Sequence, residues 1–222
     1  MKPLVRNLFN NVPQRKKSLI TYLNPNSILS DQYRTIITNL QFASIEQSYR
    51  SLLVTSPGYG EGKTTTVANL AVSLALQGEK VLLIDGDLRK PSIHDSFKLE
   101  NNIGLTNVLI GNAVLSDAVH QTEIGRLAVL TSGSIPHNPS ELIASQAMRD
   151  LMLNMQKQYD YILFDCPPVL NAVDTKILAN ECDGVVIVVN NGKTDKEKAL
   201  EANKILTAAR ASLLGIVLNE FK

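Results

Sequence analysis

Ser51-Leu52-Leu53-Val54-Thr55 leads directly into Ser56-Pro57-Gly58-Tyr59-Gly60-Glu61-Gly62-Lys63-Thr64-Thr65, and a helix-compatible stretch follows to Leu76. A short apolar, β-branched run with no polar alternation reads as a strand buried on both faces. Such strands belong to parallel sheets covered by helices on each side. Similar runs occur at 80–85, 127–131, 160–165, 184–190 and 213–218. Segments of helical character separate them at 63–77, roughly 104–120, 140–158, 171–181 and 195–210. The alternation predicts an α/β chain of three layers, a mainly parallel sheet flanked by helices on both faces. A helix is also expected ahead of the first strand, over about 27–48, with Leu29, Tyr33, Ile36 and Leu40 on one stripe.

The turn between the first strand and its helix holds Gly58, Gly60 and Gly62. Glycines let successive backbone N–H groups curl around an anion, and the helix N-terminus adds partial positive charge. Lys63 is placed to reach the β- and γ-phosphates of a nucleotide, and the Thr64 hydroxyl to ligate magnesium. Backbone from Gly58 through Tyr59, Gly60, Glu61 and Gly62 to Thr65 completes the cradle, which makes the fold that of a P-loop NTPase. The pattern G-x-x-x-x-G-K-[ST] asks for glycine where Pro57 stands. Proline donates no N–H, so ring rigidity must hold that end. Tyr59 either lies over the nucleotide or faces solvent.

Two further strand ends carry carboxylates. Asp85 and Asp87 follow Val81-Leu82-Leu83-Ile84, and Asp165 follows Ile162-Leu163-Phe164. In open α/β sheets the ligand sits beyond the carboxyl ends of the strands. Carboxylates there are costly unless paired or bound to a cation, which a magnesium–ATP complex supplies. Asp165 and Asp85 are therefore expected at the magnesium together with Thr64. Asp85 is also placed to accept a proton from an attacking hydroxyl. Asp87 either joins them or caps the turn into Pro91, with Arg89 paired to it. The expected catalytic set is Lys63, Asp85, Asp87 and Asp165. Pro167-Pro168 stiffens the exit from the Asp165 strand.

At 222 residues the chain suits one domain. A net charge of +1 gives no argument for nucleic-acid binding. Lys2, Arg6, Arg15, Lys16 and Lys17, with no acid beside them, suggest a flexible basic arm over 1–26. It is either a solvated leader or a contact for an anionic membrane or acidic partner. No run approaches the ~20 apolar residues of a membrane span, and the apolar core of a signal peptide is missing. A cytoplasmic protein is expected. Cys166 and Cys182 are expected as reduced thiols near the sheet. His94, His120 and His137 share no metal-ligand spacing and read as surface or loop residues.

Together these motifs resemble the bacterial protein-tyrosine kinases that regulate capsule and exopolysaccharide synthesis. The resemblance rests on the phosphate loop, on Leu83-Ile84-Asp85-Gly86-Asp87-Leu88-Arg89 and on Phe164-Asp165-Cys166-Pro167-Pro168. It extends to Ser132-Gly133-Ser134-Ile135-Pro136-His137-Asn138-Pro139-Ser140-Glu141-Leu142, and to Asp31-Gln32-Tyr33-Arg34-Thr35-Ile36-Ile37-Thr38-Asn39-Leu40. It implies transfer of the γ-phosphoryl of ATP to tyrosine by a kinase domain spanning 27–222, with a membrane-anchored adaptor as activator. It further implies that Lys63 binds phosphate, that Thr64, Asp87 and Asp165 serve the magnesium, that Asp85 is the base and that Asn219 contacts adenine. The family's terminal tyrosine cluster has no counterpart here, since no tyrosine follows Tyr161. The chain is then either a truncated form or one whose targets are other proteins; Tyr22 and Tyr49 are the plausible exposed acceptors. The family's acid–arginine–arginine helix pattern, used at a subunit interface, reads Asp31, Arg34, Ile37, and Ile37 lacks an arginine's donors. That speaks against ring assembly of a homo-oligomer.

Two other functions share this fold. Partitioning and division-site ATPases carry an early loop lysine that reaches across an ATP-bound dimer, whereas this chain has Gly58 there. A nucleotide-binding regulator with weak or lost transferase activity is the other.

Overall fold

A computed structural model describes residues 19–43 and 49–220. Among these residues the sheet has seven strands: β1 Ser51–Thr55, β2 Val81–Asp85, β3 Val119–Gln121, β4 Leu127–Leu130, β5 Tyr161–Asp165, β6 Gly184–Asn190 and β7 Leu213–Asn219. Their order is β3-β4-β2-β5-β1-β6-β7, and every neighbouring pair is parallel except β3 with β4. Strand β5 lies between β2 and β1. Its register sets Asp165 opposite Asp85 on one side and opposite Val54 on the other. The chain thereby brings the ends of three strands, distant in sequence, to one mouth.

The helices are α1 Ile20–Leu23, α2 Ile28–Ala43, α3 Lys63–Leu76, α4 Ile93–Phe97, α5 Leu105–Leu109, α6 Leu115–Ala118, α7 Pro139–Ile143, α8 Gln146–Gln158, α9 Val173–Glu181 and α10 Lys196–Ala208. Every residue of α3 from Thr66 to Ala75 is buried. A helix covered on all sides needs a second helical cover besides the sheet. α1 and α2 supply it. One apolar cluster joins this face, with Ile37, Leu70, Leu74, Leu83, Val129 and Leu163. The other face packs Met148, Leu151, Met152 and Met155 of α8 with Leu178, Leu206 and Phe164. The four α8 residues fall at intervals of three and four, the apolar stripe of an amphipathic helix.

Several expectations are corrected. The stripe of α2 is shifted: Leu29 is 53% exposed, whereas Ile37 is 1% exposed and packs in the core with Tyr33, Ile36 and Leu40 partly buried around it. Ile37 thus stands in the interior because α3 presents an apolar surface there. Asp31 and Arg34 form an exposed i,i+3 pair. Segment 104–120 is not one helix. α5 ends before Gly111, whose φ of 76° reverses the chain, and after α6 the strand β3 runs antiparallel along β4. Segment 140–158 is two helices, because Ser145 breaks it and caps α8 by accepting from the Met148 N–H at 3.2 Å. α1 and α4 were not expected. Of the span read as a basic arm, residues 1–18 lie outside the described residues. Thr21 within α1 is buried, its hydroxyl donating to Asn69 Oδ1 at 2.8 Å, so the end of that span is docked on α3. Tyr22 is exposed, while Tyr49 is half-buried against the core and is a poorer acceptor than the sequence suggests.

Candidate active site

The phosphate loop leaves β1 and enters α3 at Gly62, whose φ of 92° lies in the left-handed region. A side chain is excluded there twice over, since a Cβ on Gly62 would come within 2.1 Å of Asn219 Nδ2. Asn219 itself donates to the Glu61 carbonyl at 2.9 Å. The side chain of Asn219, expected at adenine, also braces the loop from the end of β7. Glu61 is buried with its carboxylate turned into the loop. It accepts from the Gly58 N–H at 2.9 Å and from Thr194 Oγ1 at 2.8 Å. Its side chain therefore shapes the cradle to which its backbone belongs. Lys193 caps the outer rim, donating to the carbonyls of Tyr59 and Gly60 at 3.1 Å each. Tyr59 is 46% exposed and lies beneath the Lys90 ammonium, 4.7 Å from its ring centroid.

Thr64, Lys63 and the carboxylates converge where the register places them. Lys63 Nζ lies 3.5 Å from both Asp87 Oδ2 and Asp165 Oδ1. Thr64 Oγ1 donates to Asp165 Oδ2 at 2.6 Å and lies 3.2 Å from Ser92 Oγ. Asp85 accepts from the N–H groups of Ser92 and Ile93 at 2.8 and 2.9 Å, and from the Asp87 N–H at 3.3 Å. It thus pins the whole 87–93 loop beneath the strand end. Asp87 does both things the sequence left open: Oδ1 accepts from the Lys90 N–H at 3.0 Å, capping the turn, while Oδ2 faces Lys63. Thr55 and Thr175 both donate to the Pro167 carbonyl, at 2.8 and 2.7 Å, and so fix the rigid exit from β5.

The electrostatics of the site are unbalanced. Asp85 and Asp165 are fully buried and Asp87 nearly so. Burial, then the charge of Asp165, raises the Asp85 carboxyl to about 7. Burial likewise pushes Asp165 up, against the pull of Lys63 and the Thr64 hydroxyl. Burial acts to lower the Lys63 ammonium, but Asp165, Asp87 and Asp85 outweigh it and raise it overall. One ammonium faces three carboxylates. A second cation is what this donor set lacks, and hydroxyl and carboxylate oxygens suit magnesium. No three His, Cys, Asp or Glu side chains among the described residues form a metal cage of their own. That agrees with magnesium's habit of using one or two carboxylates and completing its shell with water and phosphate. The donors fit the ion.

Arg89 was expected on Asp87. It is found instead on Asp174, with Nε donating to Oδ2 at 2.8 Å and Nη2 to Oδ1 at 3.3 Å. The sequence reading missed Asp174, and with it Ser92, Lys193 and Thr194. Ser92 could have been noticed as a serine just ahead of a short helix; the other three carry no local signal. His137 is exposed, and His94 and His120 are half-buried. Cys166 and Cys182 are buried free thiols whose ionisation burial suppresses. No described helix is long and apolar enough to cross a membrane.

Residues 50–206 match the family model described as an AAA domain. The chain is 46% identical over 210 residues to the tyrosine-protein kinase YwqD of Bacillus subtilis, covering 95% of this chain and 89% of that protein. Its fold is similar to that of the chimerical protein CapA2B2, with a TM-score of 0.90 and 40% identity over 92% of this chain and 90% of the other. A more distant likeness, with a TM-score of 0.66 and 28% identity over 78% and 70% of the two chains, is to the septum site-determining protein MinD of Pyrococcus horikoshii complexed with Mg-ADP.

Proposed function

The chain belongs to the family of bacterial tyrosine-protein kinases, and from that membership we propose how its site works, on what substrate and with which partner. The reaction is transfer of the γ-phosphoryl group of ATP to the hydroxyl of a protein tyrosine. The observation that carries it is the Lys63 ammonium set between Asp87 and Asp165, with the Thr64 hydroxyl on Asp165 and the phosphate loop around them. Backbone N–H groups from Gly60 to Thr65 cradle the phosphates, and Lys63 exchanges its carboxylate partners for phosphate oxygens. Thr64 and Asp165, with Asp87 and Asp85 behind them, would hold magnesium, which supplies charge neutralisation at the β- and γ-phosphates. Asp85 is assigned to take the proton of the attacking hydroxyl. In the ligand-free site burial and the Asp165 charge raise its affinity for a proton, the direction that suits a base. Asn219 is assigned to adenine, while its Nδ2 also holds the Glu61 carbonyl of the phosphate loop.

The partner is a membrane-anchored adaptor whose cytoplasmic segment activates the kinase, and the pathway served is capsule or exopolysaccharide synthesis. The acceptor tyrosine lies on another protein or on a second copy of this chain. The test is a phosphotyrosine assay with magnesium-ATP and a tyrosine-containing acceptor, run with and without the adaptor segment. Phosphotyrosine that disappears in Lys63→Met is expected. Its absence from every combination, with ATP still bound, would leave the regulator and ATPase-switch readings. An ATPase switch of the MinD kind is disfavoured by Gly58, which offers no side chain at the loop position where that mechanism places a lysine.

A further inference from the structure

Arg89 lies in the loop after β2, Ser140 in α7 after β4 and Asp174 in the first turn of α9 after β5. Asp174 is buried, although it carries a charge and opens α9. Both its oxygens hold the Arg89 fork, and Ser140 Oγ donates to Oδ1 while accepting from Arg89 Nη2 at 3.2 Å. The planar fork is thereby fixed in direction as well as place. The backbone of Arg89 is only two residues from Asp87, and the Asp87 charge is felt at its guanidinium. Yet the side chain, 43% exposed, turns away from the carboxylate-rich mouth and toward α7 and α9.

That direction has a chemical consequence. Asp85, Asp87 and Asp165 face one ammonium, so a loose guanidinium nearby would be drawn to them. It would satisfy Asp87 bidentately and remove the charge deficit that favours a divalent cation. A buried ion pair is by itself weak support for stability, since apolar residues of similar volume do as well. Its worth here lies in where it holds the guanidinium. We propose that Asp174 is a positioning residue, which by fixing Arg89 against α7 and α9 keeps Asp87 free for the magnesium–nucleotide complex. The proposal rests on the reading that magnesium binds with nucleotide at these carboxylates.

The test uses the full chain and the fluorescent nucleotide N-methylanthraniloyl-ADP, titrated in excess magnesium chloride and again in EDTA. The readout is the ratio of the two affinities. Wild type binds more tightly with magnesium. In Asp174→Asn the ratio falls about tenfold, within the range of couplings between neighbouring charged side chains, while affinity in EDTA is unchanged. Arg89→Ala added to Asp174→Asn restores the ratio, because the competing guanidinium is gone. An unchanged ratio in Asp174→Asn overturns the proposal, and so does an equal loss in the single and double variants, which would mark a merely structural effect. A wild type without any magnesium response overturns the site reading itself. If Asp174→Asn does not fold, Ser140→Ala, which strands no charge, is compared with Ser140→Ala/Arg89→Ala in the same way. A smaller loss relieved in the double variant is then expected, and no loss refutes the idea.

Discussion

Replacing Asp85 by asparagine should stabilise the ligand-free protein at alkaline pH while abolishing phosphotransfer. The carboxyl is fully buried beside Asp165, and its proton affinity rises from 3.8 to about 7 on folding. Such a group binds protons more tightly folded than unfolded. Its favourable contribution is complete below 3.8 and lost as the pH climbs through about 7. The interval corresponds to at most ~4 kcal/mol. The repulsion is shared with Asp165, so relieving it at one position recovers roughly 2 kcal/mol. Asparagine keeps an acceptor for the Ser92 and Ile93 N–H groups but presents an amide to the Asp87 N–H, a loss of about 1 kcal/mol. The net gain is about 1 kcal/mol at pH 8, or roughly 2–4 °C in Tm for a domain of this size. Thermal unfolding in EDTA without nucleotide, at pH 8 and at pH 4, measures it. Asp85→Asn is expected to melt higher than wild type at pH 8 and to lose that advantage at pH 4. A variant that melts no higher than wild type at pH 8, or that keeps the same gap at both pH values, would show that the buried Asp85 charge does not destabilise the ligand-free protein.

Other perturbations separate structural from chemical roles. Ile37→Arg should unfold or strongly destabilise the protein, by more than about 3 kcal/mol, since it buries an unpaired charge against α3; chemical denaturation measures it. A stable, newly oligomeric variant would instead place position 37 at an interface. Gly62→Ala should abolish nucleotide binding in a fluorescence titration, because the left-handed backbone and the Asn219 side chain both exclude a Cβ. Thr194→Val should weaken nucleotide affinity in a fluorescence titration and also lower Tm, because it strips a partner from the buried Glu61 carboxylate and from the Asn190 N–H. It frees Glu61 Oε2, the link between the phosphate loop and the turn after β6.

The parts of this protein legible in its sequence are those written locally. Ser51–Thr55 and Tyr161–Asp165 are continuous apolar runs ending in polar chemistry, and both are strands within a residue of where the pattern puts them. The phosphate loop is legible because its glycines, Lys63 and Thr64 sit in one stretch of chain. What the sequence could not carry is pairing across the fold. Arg89 has an acid two residues away at Asp87, yet bonds to Asp174, which lies 85 positions further along the chain. The stripe of α2 was misplaced at Leu29 because its true partner surface, α3, becomes apolar on all sides only once the sheet is assembled. The segment 104–120 has helical composition throughout, but its last residues are taken as β3 by the open edge of β4. Local propensity yields there to an unpaired strand edge.

Central to all of this is that the nucleotide's terminal phosphoryl group ends on tyrosine rather than on water. The direct measurement follows γ-labelled ATP in one reaction with magnesium, acceptor and the adaptor's cytoplasmic segment, quantifying ADP and phosphotyrosine together. The two are expected in equal amounts, and both should vanish in Lys63→Met. ADP accumulating while tyrosine stays unlabelled would contradict transfer to tyrosine and make the protein an ATPase switch.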